Sequence, residues 1–132
     1  EVAALFDTSM GLRHGPKSFL DKKTIVFDFV SNNTYTRQYD LDILNEIKGD
    51  GSVQLVMGVG QEKEGQDFAG DFFNFENDEL LPDAYLALPD IMFAQTVALL
   101  TSVKVNNKPD TPSPTGTVNR VVKGVTIHEF TK

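Results

Sequence analysis

The sequence predicts an α/β fold built on a parallel sheet, and three observations lead to it. Two stretches, Thr24–Val30 and Val53–Val59, are almost continuously apolar and rich in β-branched and aromatic residues. Such runs are typical of strands buried on both faces of a parallel sheet. Between them, apolar residues recur every third position from Leu41 to Ile47, as in an amphipathic helix. A strand, a helix and a strand within about 36 residues form a βαβ unit, which predicts parallel strands joined by a right-handed crossover.

The first residues are predicted to be the end of a helix that leads into a loop. Val2, Leu5 and Phe6 would share one helical face. The chain has no initiator Met and no leading polar arm, so we expect a fragment of a longer protein. The stretch Gly11–Phe19 is predicted to be a loop, because its Gly-Pro pair turns the chain sharply.

The elements after the first strand follow from turn signals and apolar runs. Ser31–Thr34 is a turn cluster with several possible helix caps, and Gly49 and Gly51 are expected to end the central helix. Phe72–Phe75 is predicted to be a short third strand, and the acidic run that follows, Glu76–Glu79, suits a solvated face or a helix N-terminus better than a metal site.

The second half of the chain contains its longest apolar stretch, Leu80–Val103. Pro82 and Pro89 predict a break, with a short helix followed by a largely buried helix that begins at Asp90. The Pro-rich stretch after it is predicted to be an extended connector, and residues 119–132 either a terminal strand or an ordered tail.

Composition limits the classes of function. The chain has 132 residues, which fits one domain, and a net charge of -7, which argues against nucleic acid and anionic membranes as partners. It has no Cys, which excludes disulfides, thiolate metal sites and a Cys nucleophile and is compatible with the cytoplasm. No uninterrupted apolar run approaches about 18 residues, so neither a membrane span nor a secretory signal is predicted.

The candidate site is the loop around His14. Arg13 and Lys17 bracket this His, and the Gly-Pro pair follows it at once. Site residues are often presented on loops that a rigid element holds in place. The alternative is a turn residue without chemistry, which is common for such short motifs. Asp28, inside the first strand, is interpreted as a strand residue at a sheet end or facing a polar loop.

The hexapeptide Arg13–Ser18 resembles the His-Gly-Pro loop of the sugar isomerase (SIS) family. More narrowly, it resembles the members described as tagatose-6-phosphate ketose/aldose isomerases, also identified as galactosamine-6-phosphate deaminase/isomerases. The resemblance covers nearly the whole chain, through Ser31–Asp42, Leu81–Asp90 and Pro112–Ile127. It implies the C-terminal part of a three-layer αβα SIS sandwich with a parallel sheet. Residues 1–132 would then be a partial SIS domain with an extended tail over residues 106–132.

The same resemblance implies the roles of site residues. In aldose–ketose isomerases of this family the matching His, here His14, opens the sugar ring and is often lent by a neighbouring subunit. Lys123 stands where a related isomerase domain has a Lys that reaches the sugar; a surface Lys on a strand is the alternative. Arg13, Lys17 and Ser18 are the candidate substrate-binding residues. The family's phosphate-binding loop and catalytic Glu lie upstream, and Glu1 is too close to His14 to be that Glu.

The leading functional hypothesis is a fragment of a cytoplasmic sugar-phosphate isomerase or deaminase/isomerase acting on a hexose 6-phosphate. An imidazole with a pKa near roughly 6.5 can both take and give the protons of ring opening. No metal or organic cofactor is implied. The expected partners are the sugar phosphate and either a second copy or the missing N-terminal half, with no nucleic acid and no membrane. The alternatives are a non-catalytic sugar-phosphate sensor and a dimerisation unit.

Overall fold

A computed structural model of the chain describes residues 3–110, 113, 115–116 and 124–130. Contacts divide the chain into two units, residues 2–92 and residues 93–132, with residue 1 grouped in the second. Lys123 lies outside the described residues.

The first unit contains a three-stranded parallel sheet in the order β1-β2-β3. Its strands are β1 (Ile25–Phe29), β2 (Leu55–Gly60) and β3 (Asp71–Asn74). Ile25 pairs with Leu55 in the first ladder, and Met57 pairs with Asp71 in the second. The predicted α/β class, the parallel pairing and the short third strand are therefore confirmed.

One face of this sheet is covered by α2 (Thr34–Asp50). The helix begins at the Asn33 cap, whose side chain accepts from the N–H groups of Tyr35 and Thr36, and it ends at Gly51 in the left-handed conformation. The helix therefore passes through Gly49, and only the second of the two predicted stop signals ends it. Six buried side chains form the core between helix and sheet: Val30, Ile43, Leu44, Ile47, Val56 and Phe68.

The segment before the sheet differs from the prediction. Residues 3–8 are not helical and Phe6 is fully exposed; the first helix is α1 (Ser9–Arg13), followed by a 3₁₀ turn over Pro16–Phe19. The reason lies in local side-chain bonds. The Asp7 carboxylate accepts from the N–H of Thr8, and the Thr8 hydroxyl accepts from the N–H of Gly11. These bonds favour a cap over a continuing helix, so a helix starts where a loop was predicted.

The long apolar stretch forms one helix, α3 (Asp83–Lys104), which runs through Pro89 without a break. Leu86 is its one buried residue among those described, so the predictions of two helices and of a largely buried second helix are wrong. Several of its large apolar side chains are exposed, among them Leu88, Leu99 and Leu100.

By length and composition alone, α3 is also the one described helix that could span a membrane, and its most apolar 18-residue window has a mean hydropathy of 1.5. Its apolar residues do not form one uninterrupted run, because Asp90 and several hydroxyl residues lie among them without lowering the mean hydropathy much. Only 6% of its most apolar window is buried.

After α3 the second unit has little regular structure in its described residues. Asn106 adopts a positive φ of 57°, which follows the helix end as Asn often does. Residues 124–130 form neither helix nor strand, so a terminal strand over these positions is not observed.

Candidate functional site

His14 lies at the end of α1, where its backbone N–H donates to the carbonyl of Gly11 over 3.0 Å, and its side chain is exposed. Pro16 then opens the 3₁₀ turn, in the first-turn position where a missing N–H costs least. The exposure agrees with the predicted presentation of this imidazole. Its catalytic role stays a prediction.

The two cations beside His14 are held by carboxylates of α2. Arg13 Nη2 lies 2.9 Å from Glu46 Oε2, and Lys17 Nζ pairs with both Glu46 and Asp50, lying 2.6 Å from Asp50 Oδ2. The hydrogen bonds to Asp50 and Glu46 raise the pKa of Lys17, and the bond to Lys17 lowers the pKa of Glu46. These pairs attach the His14 loop to α2, and they already occupy the charges that were predicted to bind substrate.

Ser18 serves the turn itself, since its hydroxyl donates to the carbonyl of Gly15 over 2.7 Å. The structure therefore groups His14, Arg13, Lys17 and Ser18 on one braced loop. The assignment of the last three to substrate remains a prediction, as does the role of Lys123.

A buried Arg that the sequence analysis did not single out organises the carboxyl edge of the sheet. Arg37, on the second turn of α2, has no exposed surface. Its Nη2 donates to the carbonyl of Gln61 at 2.9 Å, its Nη1 to that of Ser31 at 3.1 Å and its Nε to that of Gln66 at 2.9 Å. These carbonyls follow β1 and β2, so one guanidinium ties together the ends of two strands and the next loop.

Gln61 extends this network towards the segment before α3. It is 2% exposed, and its Oε1 accepts from Asn32 Nδ2 at 2.7 Å and from the N–H of Leu81 at 2.9 Å. Its Nε2 donates to the carbonyl of Glu79 at 3.1 Å. A sequence signal existed for Arg37, because it precedes Leu44 by seven residues and so lies on the apolar stripe of α2. No comparable pattern marks Gln61.

A chain of hydrogen bonds connects α1 to the start of α3. Ser9 Oγ donates to Asp40 Oδ1 at 2.5 Å, and Asp40 Oδ2 accepts from the N–H of Ser31 at 3.0 Å. Ser31 Oγ then donates to Asp83 Oδ2 at 2.6 Å. Three elements that are distant in sequence thus meet at the end of β1, where ligands of parallel sheets bind.

Two carboxyl groups near these hydrogen bonds have raised pKa values. Burial, with a smaller contribution from Asp40, raises the pKa of Asp28 to about 7. Burial, with a smaller contribution from Asp83, raises the pKa of Asp90 to about 6. Asp28 lies between Val26 and Val30 on the strand face that packs against α2, so it faces the helix rather than a polar loop.

Two of the cavities in the described part of the chain lie at opposite ends of α2. The larger, about 450 Å³, lies at the other end of α2, where Lys48 is its sole basic residue and its amine donates to the carbonyl of Ala69. The smaller, about 360 Å³, lies at the carboxyl edge beside Asn32 and Asp83. We give the smaller one more weight because of its position at the strand ends. Among the described residues no group of three or more His, Cys, Asp or Glu could hold a metal ion.

Known proteins resemble this chain over almost its full length. It is 44% identical over 130 residues to a protein named D-galactosamine-6-phosphate deaminase AgaS from Escherichia coli, covering 98% of this chain and 34% of that protein. It is 36% identical over 132 residues to a protein of the same name from Shewanella sp. (strain ANA-3), covering all of this chain and 31% of that protein. No protein-family model matches the chain.

A solved structure shows the same fold. The crystal structure of tagatose-6-phosphate ketose/aldose isomerase from Escherichia coli superposes with a TM-score of 0.77 at 37% identity, covering 98% of this chain and 32% of that one. The chain thus spans about a third of the length of the relatives it matches. The resemblance noted from the sequence, to a C-terminal portion of such proteins, and the SIS-type α/β fold are confirmed.

Proposed function

We propose that this chain is the part of a sugar-phosphate isomerase, or of an amino-sugar-phosphate deaminase, that supplies the acid–base group His14. The observation that carries the proposal is the exposed imidazole on a loop attached by ion pairs to α2. The names of the relatives supply the substrate class: galactosamine 6-phosphate, which carries an amino group at C2, and tagatose 6-phosphate, a ketose whose carbonyl carbon is C2.

His14 would act in ring opening. Its imidazole takes the proton of the anomeric hydroxyl and gives a proton to the ring oxygen, so the C1–O bond of the ring breaks and the aldehyde forms. A proton then moves between C2 and C1 through an enediol, which interconverts aldose and ketose. When C2 carries nitrogen, the proton moves through an enolamine to give a C2 imine, which water hydrolyses to the ketose and ammonia. That second step needs a carboxylate base outside this chain, and Lys123 is the proposed cation near the developing oxyanion.

Arg13 and Lys17 have a more restricted role in this proposal than simple phosphate binding. A substrate phosphate would compete with Glu46 and Asp50 for the same N–H groups. We therefore propose that the two cations first position the loop, and that any contact they make with substrate lies at the edge of the site.

The test is a chimera in which this chain replaces the matching third of the Escherichia coli deaminase. His14→Ala should lower kcat on the cyclic substrate by about 10²-fold or more, with little change in KM, since the phosphate is held elsewhere. Lys22→Ala is the matched control: Lys22 is an exposed basic residue that contacts the Gly51 carbonyl. Ammonia release and ketose formation are assayed separately, which distinguishes deaminase from isomerase.

The 132-residue chain alone should show no turnover of galactosamine 6-phosphate or tagatose 6-phosphate, because the base and the phosphate-binding loop are proposed to lie outside it. Robust turnover by the chain alone would show that the active site is misplaced. Full activity of the His14→Ala chimera would instead favour the alternative, a non-catalytic module that senses sugar phosphates or dimerises.

A further inference from the structure

The helix that leads to His14 has little of its own to fix its direction. α1 has five residues and no buried side chain. A helix this short is not stable by itself in water, so contacts with other elements must hold it in place. The Thr8 cap helps α1 to form, but it lies on the same segment and does not orient it. The position of His14, at the end of α1, therefore depends on how α1 is attached to its neighbours.

The contacts of α1 differ in what they can fix. Leu12 packs against the core, and an apolar contact has no preferred direction. At the C-terminal end of α1, the side chains of the Arg13–Glu46 pair are 29% and 37% exposed, and exposed ion pairs contribute little. At the N-terminal end, Ser9 donates to Asp40, a buried residue. A hydrogen bond to a buried carboxylate is both strong and directional, so this contact constrains the orientation most.

The Asp40 carboxylate is itself fixed between two elements. It belongs to α2, and its Oδ2 accepts from the N–H of Ser31, just after β1, at 3.0 Å. Its Oδ1 accepts from Ser9 Oγ at 2.5 Å. One carboxylate thus joins the start of α1 to α2 and to the carboxyl end of β1, and it holds the His14 loop in a fixed relation to that end of the sheet.

The length of α1 determines what a loss of this contact would do. From Ser9 to His14 the helix rises about 7.5 Å. A rotation of α1 by about 10° at Ser9 would therefore move His14 by roughly 1 Å. A displacement of about 1 Å can lower the rate of an enzyme by about 10²-fold, because the reacting groups no longer meet in the productive geometry.

We propose that Asp40 is a positioning residue for His14: through Ser9 it sets the direction of α1, and thereby where the imidazole meets the sugar ring. The proposal rests on the ring-opening role given to His14 above. Asp40 contacts no substrate in it and transfers no proton. Loss of the hydrogen bond between Ser9 and Asp40 should therefore slow turnover without weakening the binding of substrate.

The test uses the chimera with the Escherichia coli deaminase. Ser9→Ala should lower kcat on the cyclic substrate by about tenfold with little change in KM, since the imidazole is misplaced while the phosphate is held elsewhere. Ser9→Thr keeps the hydroxyl and should retain kcat within about threefold. Thr24→Val is the matched control and should leave kcat unchanged. It removes a hydroxyl bond to the Asp21 carboxylate, just before β1 and away from α1.

Variants of Asp40 test the other partner of the same bond. Asp40→Ala should lower kcat by about tenfold or more, because both accepted hydrogen bonds are lost. Asp40→Asn should retain most of the activity, because its amide can donate to the Ser9 hydroxyl and accept from the N–H of Ser31. Circular dichroism checks the fold of each variant, and Ser9→Ala carries the test if Asp40→Ala does not fold.

A double variant separates positioning from general damage to the fold. Ser9→Ala combined with His14→Ala should be no less active than His14→Ala alone, because the hydrogen bond acts only through the imidazole. If His14→Ala lowers kcat, then an unchanged kcat in Ser9→Ala, or a further loss in the double variant, would overturn the positioning role and leave the proposed function intact. Full activity of His14→Ala would instead overturn the proposed function, and the positioning role with it.

Discussion

Asp28 places a carboxyl group in an unusual position, on the helix-facing side of β1 and near the Asp40 carboxylate. Its pKa is raised to about 7 by burial and by Asp40, so near neutral pH it carries a proton for much of the time. In the unfolded chain the same group would ionise near its ordinary pKa of 3.8. The folded state therefore binds a proton that the unfolded state releases over the interval between these values.

The sign of the pH dependence follows. Stability contributed by protonated Asp28 is fully present below about pH 4 and is lost as the pH rises to about 7, by at most about 4 kcal/mol in total. Asp28→Asn should flatten this fall and raise the free energy of unfolding at pH 8, as measured by urea denaturation at several pH values. Asp42→Asn, at an exposed position of α2, is the control and should follow the wild type. An unchanged slope in the Asp28 variant would contradict the buried protonated carboxyl.

The residues of the candidate site were only partly predictable from the sequence. The Gly-Pro pair identifies the His14 loop in the sequence because it constrains the backbone locally. An exposed imidazole is expected on such a loop and is observed. The ion pairs of Arg13 and Lys17 could not be predicted, because Glu46 and Asp50 lie about thirty residues away and meet them only through the fold. The same holds for Gln61, whose side-chain partners Asn32, Glu79 and Leu81 lie 18 to 29 residues away along the sequence.

At the scale of elements, two glycines differ in the space that surrounds them. A Cβ on Gly58 of β2 would lie 2.5 Å from the Phe72 ring and 3.4 Å from Leu44, because strand and helix approach closely there. A Cβ on Gly49 of α2 would meet nothing within 4 Å. The first glycine is required by packing, whereas the second only lowers helix propensity.

Substitution by Ala should therefore change stability in opposite directions. Gly58→Ala should lower the free energy of unfolding by roughly 1–3 kcal/mol, since the Phe72 ring must shift. Gly49→Ala should raise it by about 0.5–1 kcal/mol, the ordinary difference between the two residues inside a helix. Chemical denaturation of both variants gives the comparison. Equal effects of the same sign would show that the close approach of Phe72 is wrong.

Pro89 lies in the interior of α3, where it removes a hydrogen bond to the carbonyl of Tyr85. Pro89→Ala should restore this hydrogen bond within the helix and stabilise the chain by roughly 1–3 kcal/mol. Pro82→Ala, just before the helix, is the control without an interior hydrogen bond to restore. Helix content by circular dichroism and the midpoint of urea unfolding are the measurements; a loss of stability at residue 89 would mean that the Pro is needed where it is.

The elements that sequence patterns predicted best are those stabilised by close neighbours along the chain. The β1–α2–β2 unit closes its own core, so its apolar spacing predicts its structure. Helix α3 is different. The density of its apolar residues indicates how much surface could be buried, and not whether this chain buries it. Pro89 does not produce the predicted helix break. The cost of one lost backbone hydrogen bond is offset because the helix continues on both sides of it.

For the molecule as a whole, the exposed apolar surface of α3 is the dominant feature. Leu88 is 69% exposed, Leu99 51% and Leu100 63%, on a helix of 22 residues. Exposed apolar clusters of this kind mark interaction surfaces or aggregation-prone regions in soluble proteins. We therefore expect the isolated chain to self-associate or to bind the part of the longer relatives that it does not contain.

Sedimentation at micromolar concentration should show a dimer or larger species. The triple variant Leu88→Lys, Leu99→Lys and Leu100→Lys should shift the chain towards monomer, because charges would have to be buried on association. Leu5→Lys, at a residue 85% exposed outside α3, is the control and should leave the association unchanged. A compact wild-type monomer at these concentrations would contradict the expectation.

The three carbonyl bonds of Arg37 also determine how the carboxyl edge of the sheet can open. The guanidinium belongs to α2, and its acceptors belong to Ser31, Gln61 and Gln66. None of these segments can separate without breaking a hydrogen bond to the buried Arg37. The loop after β2 should therefore exchange its amide hydrogens together with α2 rather than through small independent openings. Native-state hydrogen exchange should give similar opening free energies for both. In Arg37→Met, but not in Gln38→Met on the exposed side of the same helix turn, the loop should exchange at much lower free energy.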